Sequence, residues 1–182
     1  VGQLIHALKS GKYNINNTSV MITQTGGACR ATNYVGMLKK ALKDAGFANV
    51  PLISLNVVGL EKQSGFKLSA RLALRAFMGI VYGDVLSRCL YKVRPYEVTK
   101  GSANALYEKW RVFLRGELER ISFKRFNENV RSIVKDFSEF PVLDVKKPKV
   151  GLVGEILVKF HPVANNNIIE LLESEGCEVV VP

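Results

Sequence analysis

The sequence lacks several features that would place it in a familiar class of proteins. Its 182 residues include three cysteines, Cys29, Cys89 and Cys177, which lie far apart and form no CxxC pair, so a disulfide framework is not indicated. No apolar run approaches the roughly 20 residues that a membrane-spanning helix needs. The first residues lack the basic and apolar regions of a signal peptide. These absences predict a cytoplasmic protein with no membrane partner.

Positive charge is what the sequence has in excess. It contains 26 Lys and Arg against 16 Asp and Glu, which gives a formal net charge of +10. The excess is concentrated between Arg88 and Lys135, where 12 basic residues are accompanied by five glutamates. Such a charge is typical of proteins that bind nucleic acid, a phosphorylated cofactor or an acidic partner. It is equally expected of a fragment whose charge is balanced elsewhere in a larger protein, and both termini read as fragment boundaries.

The predicted fold class is α/β, with parallel β-loop-α-β units of the flavodoxin-like or Rossmann-like type and a helical middle lobe. Residues 1–64 form the first unit, in which a strand at 19–24 leads through a glycine turn into a helix ending near Ala45 and a second strand at 50–55. Gly46 is expected as the residue that ends the helix. Residues 65–148 are expected to form the helical lobe, with helices at 66–91, 103–119 and 123–137.

Residues 149–182 repeat the plan of the first unit and are expected to complete the same sheet. A strand at 150–153 precedes a long polar loop through His161, and a helix carrying Ile168 and Leu172 comes next. Asn165 or Asn166 is expected to cap that helix, and Gly176 to end it. Its glutamates are expected to form a solvated face: Glu170, Glu173 and Glu175.

The turn after the first strand carries the most informative candidate site. Gly26 and Gly27 allow a tight turn at the carboxyl edge of the sheet, where open α/β sheets bind their ligands. Cys29 is expected at the amino terminus of the next helix, where the helix dipole and Arg30 favour a thiolate. Such a thiolate is a candidate metal or cluster ligand, or a nucleophile. An ordinary turn in which Cys29 packs as a small apolar residue explains the same residues.

Other candidates are weaker. Glu155 and His161, together with Lys159, are candidates for cofactor binding or acid–base work, although a loop histidine with no cysteine or second histidine near it in sequence is usually a surface residue. Cys89 and Trp110 are expected to pack in a core. The chain lacks the Lys-Ser/Thr of a Walker A loop and the three spaced glycines of a dinucleotide fingerprint.

Two segments carry a resemblance to a known family. The residues QTGGACRATNY at 24–34, within the stretch from Val20 to Asn56, resemble the large CoA-substrate-specific enzyme activases, also called 2-hydroxyacyl-CoA dehydratase activator-related proteins. A second match is VGLVGEILVKFHP at 150–162, continued by the three asparagines at 165–167. The chain is similar to the dehydratase-like region of that family and not to its ATPase modules.

The resemblance implies a role in an iron–sulfur, electron-transfer site. Cys29 is then the candidate ligand of a 4Fe–4S cluster, with Gly26, Gly27 and Arg30 shaping the site. A cluster needs three or four thiolates, so the isolated fragment is expected to hold none and to lack catalytic activity of its own. The implied partners are other domains of the same polypeptide and a 2-hydroxyacyl-CoA dehydratase. The alternative interpretation is a basic nucleic-acid-binding module.

Overall fold

The computed structural model describes residues 1–56 and 69–181, except for the side chains of residues 56, 157 and 158. The chain divides into two compact units, Val1–Lys67 and Leu68–Pro182. The domain boundary predicted between residues 64 and 65 lies outside the described residues. None of the helices in the described ranges is both long enough and apolar enough to cross a membrane.

The first unit is a parallel β-loop-α-β motif preceded by a short helix. Strands β1 and β2 pair in parallel from Val20 opposite Leu52 to Gln24 opposite Asn56, as predicted. One apolar side of α2 covers the pair, and Leu38 and Val35 are almost completely buried there. Burial of each such side chain stabilises the fold by about 1.5–3 kcal/mol. The elements of this unit are α1 (Gly2–Lys9), β1 (Val20–Gln24), α2 (Arg30–Asp44) and β2 (Leu52–Asn56).

Helix α2 ends as the sequence predicts. Gly46 has a φ of +83°, in the left-handed region that glycine adopts without a steric cost. Its N–H donates to the carbonyl of Lys43, and the N–H of Phe47 donates to that of Leu42. This pair of bonds is the Schellman motif, which turns the chain sharply towards β2.

The second unit is mainly helical. Tyr82, Leu86 and Leu90 recur at intervals of four residues on α3 and pack against Leu114 of α4 and Ile133 of α5. The start of α3 predicted at residue 66 lies outside the described residues. Cys89 and Trp110 pack against this core, as predicted, and Trp110 also donates a hydrogen bond to Asp136. The three helices are α3 (Ala70–Val93), α4 (Ser102–Glu117) and α5 (Phe123–Ser138).

A second, shorter β-loop-α-β motif completes this unit. Strands β3 (Lys149–Gly151) and β4 (Glu178–Val180) pair in parallel. The segment predicted as one long polar loop contains the short helix α6 (Ile156–Phe160), because its apolar residues continue for a helical turn. Helix α7 (Ile168–Ser174) ends at Gly176 in a second Schellman motif, as predicted.

Two expectations about this region need correction. Within residues 1–56 and 69–181, β1–β2 and β3–β4 are separate two-stranded sheets, so the expected single sheet is not what these strands form. Glu173 does not belong to a solvated face, because its side chain is only 11% exposed and makes a double hydrogen bond to Arg94. The Arg94–Glu173 contact joins α7 to the end of α3 across 79 positions of sequence, which the local sequence does not reveal.

The predicted asparagine cap is also not formed. Asn167 occupies the cap position of α7, with a φ of +53°, and its side chain makes no capping hydrogen bond. Asn166 has a left-handed backbone as well, and the side chain of Asn165 donates instead to the carbonyl of Lys159. The run of asparagines therefore builds a tight left-handed turn, which asparagine tolerates better than most residues.

Candidate functional site

The turn between β1 and α2 places Cys29 where the sequence predicts it. Gly26 has a φ of +79°, so the turn requires glycine at this position. Gly27 has no positive φ, and a Cβ added to it would meet nothing within 4 Å, so the second glycine is not required by the backbone. Cys29 is the N-cap residue of α2, with an extended backbone and an exposed side chain.

Thr32 holds this turn together from the first turn of the helix. Its hydroxyl donates to the carbonyl of Gly27 at 2.7 Å and lies 3.1 Å from the hydroxyl of Thr25. The N–H of Cys29 also donates to the carbonyl of Gly27, and its carbonyl accepts from the N–H of Thr32. The backbone on both sides of the sulfur is thus fixed by local hydrogen bonds, while the thiol is exposed to solvent.

A buried polar pair anchors the same turn to the sheet. Gln24 ends β1 and is only 8% exposed, and its Nε2 donates to the carbonyl of Thr32 at 3.0 Å. Its Oε1 accepts from the hydroxyl of Ser54 on β2, which is 7% exposed. A buried polar group is costly unless it is hydrogen-bonded, so this arrangement fixes the start of α2 relative to both strands.

Sequence reasoning missed these supporting residues. Ser54 interrupts the apolar residues of β2, and a polar residue at a strand position expected to be buried was the available signal. Gln24 gave a weaker signal, because it follows Thr23 at the end of β1. Thr32 gave no such signal, because a threonine in the first turn of a helix is common. Arg30 is the first residue of α2, and its side chain is exposed beside Cys29.

The metal-binding capacity of this turn rests on a single sulfur. No group of three or more His, Cys, Asp or Glu residues that could share a metal ion occurs in the described ranges. Cys89 and Cys177 belong to the other compact unit, and burial raises the pKa of the Cys89 thiol, which keeps it protonated. The residues present fit one ligand of a cluster and do not fit a complete cluster site.

The second predicted pair, Glu155 and His161, lies in the unit of residues 68–182. Glu155 is exposed and directly precedes α6. His161 is partly buried, and its Nδ1 accepts a hydrogen bond from the N–H of Ala164 at 3.2 Å. That bond leaves Nε2 as the ring nitrogen directed away from the backbone turn. The structure therefore assigns these two residues to a different unit from Gly26, Gly27, Cys29 and Arg30.

We refer to the exposed basic side chains of α3, α4, α5 and the α4–α5 connection in the same unit as the basic surface. Several of its exposed side chains have no ion-pair partner within the part of the chain that the structure describes: Lys92, Lys109, Arg115, Arg120 and Arg131. Glu117 is compensated locally, because the Arg125 guanidinium donates two hydrogen bonds to it and lowers its pKa. The remaining cations give this surface a net positive charge.

Two arrangements thus stand out: a rigid turn that presents one exposed thiol, and a helical surface with uncompensated positive charge. No protein-family model, no curated protein and no solved structure matches this chain, so neither arrangement is supported by a relative of known function.

Proposed function

We propose that this chain is the non-ATPase domain of a 2-hydroxyacyl-CoA dehydratase activator, and that it contributes Cys29 to an iron–sulfur, electron-transfer site. The observation that carries the proposal is the exposed sulfur at the first turn of α2, beyond the carboxyl end of β1. Ligands of parallel α/β units bind at this end of the strands. The resemblance of residues 24–34 to the activase family supports the same role.

The proposed role divides the ligands between this chain and others. A 4Fe–4S cluster needs three or four thiolates, so the other cysteines come from further domains of the same polypeptide or from a partner dehydratase. When bound, the cluster supplies one-electron transfer. The chain's own contribution is to hold one sulfur exposed and fixed through the hydrogen bonds of Gly27, Thr32 and Gln24, with Arg30 adding positive charge near an anionic cluster.

The proposed setting of the chain is the reducing cytoplasm, where an exposed thiol stays free for metal binding. The isolated chain, under this proposal, holds no cluster and catalyses no reaction by itself. The finer fold in the proposal is flavodoxin-like, with each β-loop-α-β unit contributing to a larger assembly of the activase type.

The test is anaerobic reconstitution with iron and sulfide of the polypeptide that carries this chain together with its cysteine-bearing neighbours. We expect broad absorbance at about 400 nm, of the kind that thiolate-bound clusters give. Cys29→Ser should reduce this absorbance and change the electron paramagnetic resonance signal of the reduced protein. Cys177→Ser is the matched control and should leave both unchanged. If the Cys29→Ser protein shows the wild-type absorbance and electron paramagnetic resonance signal, Cys29 is not a cluster ligand and the proposal is wrong.

A second candidate function is nucleic-acid binding through the basic surface of α3, α4 and α5. The observation that favours it is the set of exposed Lys and Arg side chains on that surface without ion-pair partners in the described ranges. Phosphate contacts release counterions, so binding of this kind falls steeply with salt. We expect, under this alternative, that Lys109→Ala and Arg131→Ala together weaken retention of a DNA or RNA duplex and lower its salt dependence. Absence of binding at about 50 mM salt would exclude the alternative.

A further inference from the structure

Two neighbouring cavities in the second unit have no role in the proposed function. The first has a volume of about 440 Å³ and lies between the end of α3, the start of α4 and the segment of α6 and α7. This volume is within the range of small-molecule sites, about 300–1,000 Å³. The second, of about 640 Å³, shares Arg94, Asn104 and Glu170 with the first. The three shared residues form a common wall between the two cavities.

Aromatic rings line the first cavity. Tyr91, Tyr107 and Phe160 come from three different helices, and the ring of Phe160 is 59% exposed. Neither tyrosine hydroxyl has a hydrogen-bond partner within the described parts of the chain. Burial raises the pKa of Tyr91, so its hydroxyl is protonated and can donate at neutral pH. The Arg94 guanidinium lies over the Tyr91 ring, 5.5 Å from its centre, and the Lys159 ammonium lies over the Phe160 ring, 4.7 Å from its centre. A planar ligand that stacks here therefore uses the other face of each ring and the tyrosine hydroxyls.

Two of the charged side chains around the first cavity already make hydrogen bonds or ion pairs within the protein. Arg94 is bound to both carboxylate oxygens of Glu173, and its third nitrogen donates to Oδ1 of Asn104. Glu108 is paired with Arg111. Fixing Asn104 in this way leaves its amide nitrogen as a donor. Lys159 and Glu170 also line this cavity, so its charged side chains balance, two cations against two carboxylates, which favours a neutral, planar group over an isolated anion.

The second cavity carries unpaired charge of both signs, because Glu170 on the shared wall has no ion-pair partner within the described ranges and two lysines also line the cavity. Lys100 and Lys147 line it, and neither has an ion-pair partner within the described ranges, although the ammonium of Lys147 lies 5.8 Å from the centre of the Tyr96 ring. Glu97, which also lines this cavity, is engaged, because its two oxygens accept from the N–H groups of Gly101 and Ala103. An anionic group placed here meets two lysines.

We infer that the two cavities form one binding site for a mononucleotide, with the base among Tyr91, Tyr107 and Phe160 and the phosphate near Lys100 and Lys147. Stacking on aromatic side chains accepts any base, because every base has a π face. The ammonium groups then select the phosphorylated form over the nucleoside. The inference is independent of the iron–sulfur proposal, because Cys29 lies in the other unit.

The test is isothermal titration calorimetry of the 182-residue chain with AMP, GMP, CMP and UMP. Adenosine, ribose 5-phosphate and inorganic phosphate are titrated separately, because they represent the nucleoside, the sugar phosphate and the phosphate of a mononucleotide. We expect at least one nucleotide to bind more tightly than adenosine, and ribose 5-phosphate and inorganic phosphate to bind no more tightly than adenosine. Phe160→Ala should weaken nucleotide and nucleoside alike by about 5- to 150-fold, the range of one stacked base. The exposure of Phe160 makes this variant compatible with folding, which circular dichroism checks.

The phosphate end has its own variants. Lys100→Ala with Lys147→Ala should reduce nucleotide binding to the level of adenosine and leave adenosine unchanged. Lys43→Ala is the matched control, because this exposed lysine is on α2 in the other compact unit and lines neither cavity. Three results would overturn the inference: no nucleotide binds at millimolar concentration, Phe160→Ala binds as wild type does, or inorganic phosphate binds as tightly as the nucleotides.

Discussion

The two β-loop-α-β units share a local design and differ in the connection that leaves the first strand. Both pair their strands in parallel, and both end their helix with a Schellman motif at Gly46 or Gly176. In the first unit the strand leads into a short turn closed by Thr32 and Gln24, which presents a single sulfur. In the second unit an extra helix and a left-handed asparagine turn lengthen the connection, and cavities form beside it.

The difference between the two units indicates that contacts with residues outside a β-loop-α-β motif determine what kind of site forms at the connection after its first strand. The first turn is stabilised almost entirely by residues within about 30 positions of one another, so its geometry is local. The second connection depends on Arg94, which reaches Glu173 across 79 positions of sequence. Substitutions at these two places should therefore have effects of different size and range.

The largest effect is expected from breaking the Arg94–Glu173 pair. Both side chains are mostly buried, at 15% and 11% exposure, so Arg94→Ala leaves a carboxylate without its partner. We expect this change to lower the free energy of unfolding by about 2–4 kcal/mol. Arg111→Ala, in an exposed pair with Glu108, is the control and should cost less than about 1 kcal/mol. Urea denaturation measures both, and equal losses would contradict the importance of this long-range contact.

The next effect concerns the two glycines of the first turn. Gly26→Ala forces a Cβ into a left-handed backbone and should destabilise the protein by about 1–2 kcal/mol. Gly27→Ala should change stability by less than about 0.5 kcal/mol, because its backbone is ordinary and the space around it is open. Thermal unfolding followed by circular dichroism compares the two. A larger loss at Gly27 would mean that the turn has another conformation.

The thiols of the two units should differ in reactivity. Cys29 is exposed, whereas Cys89 is half-buried and burial raises its pKa, so less of its thiolate is available. We expect iodoacetamide to modify Cys29 about tenfold faster or more, which is about 1.4 kcal/mol in activation free energy. Peptide mass spectrometry at timed intervals measures the two rates, with Cys29→Ser as the control for peptide assignment. Equal rates in the native protein would contradict the difference in burial between the two thiols.

The smallest effect is a pH dependence within the second unit. The Arg125 guanidinium lowers the pKa of Glu117 below its usual value of 4.5. A lowered pKa in the folded state stabilises the protein above the ordinary carboxyl pKa, and this contribution is lost as the pH falls through the lowered value. Glu117→Gln should therefore be less stable than wild type at neutral pH, by about 1 kcal/mol or less, because the Arg125 side chain is 53% exposed to solvent although Glu117 is only 16% exposed. The difference should shrink below pH 4.5, and a difference that grows on acidification would contradict this assignment.

Local signals made much of the fold predictable from the sequence. The ends of α2 and α7 followed from Gly46 and Gly176, because a left-handed residue is a property of a single position. The position of Cys29 followed from a strand, two glycines and a periodic helix. In both cases the controlling interactions lie within a few residues of one another.

The features that the sequence did not reveal depend on contacts between distant residues. Glu173 looked like a surface residue because its partner, Arg94, lies in another part of the chain. The separation into two strand pairs and the cavities beside α4 depend in the same way on how whole helices pack. Tyr91 and Tyr107 stand at ordinary helical positions, so nothing in their spacing marks them as the walls of a cavity.

The carboxylate of Glu97 affects how anions bind near the start of α4. By accepting from Gly101 and Ala103, it acts as an internal counter-ion at the positive end of the α4 dipole. An external anion must displace the Glu97 carboxylate to bind those two N–H groups. The nearby lysine side chains are therefore the groups that attract anions to this region. Glu97 already compensates the positive end of α4, so attraction of anions to this region depends on the ammonium groups of Lys100 and Lys147.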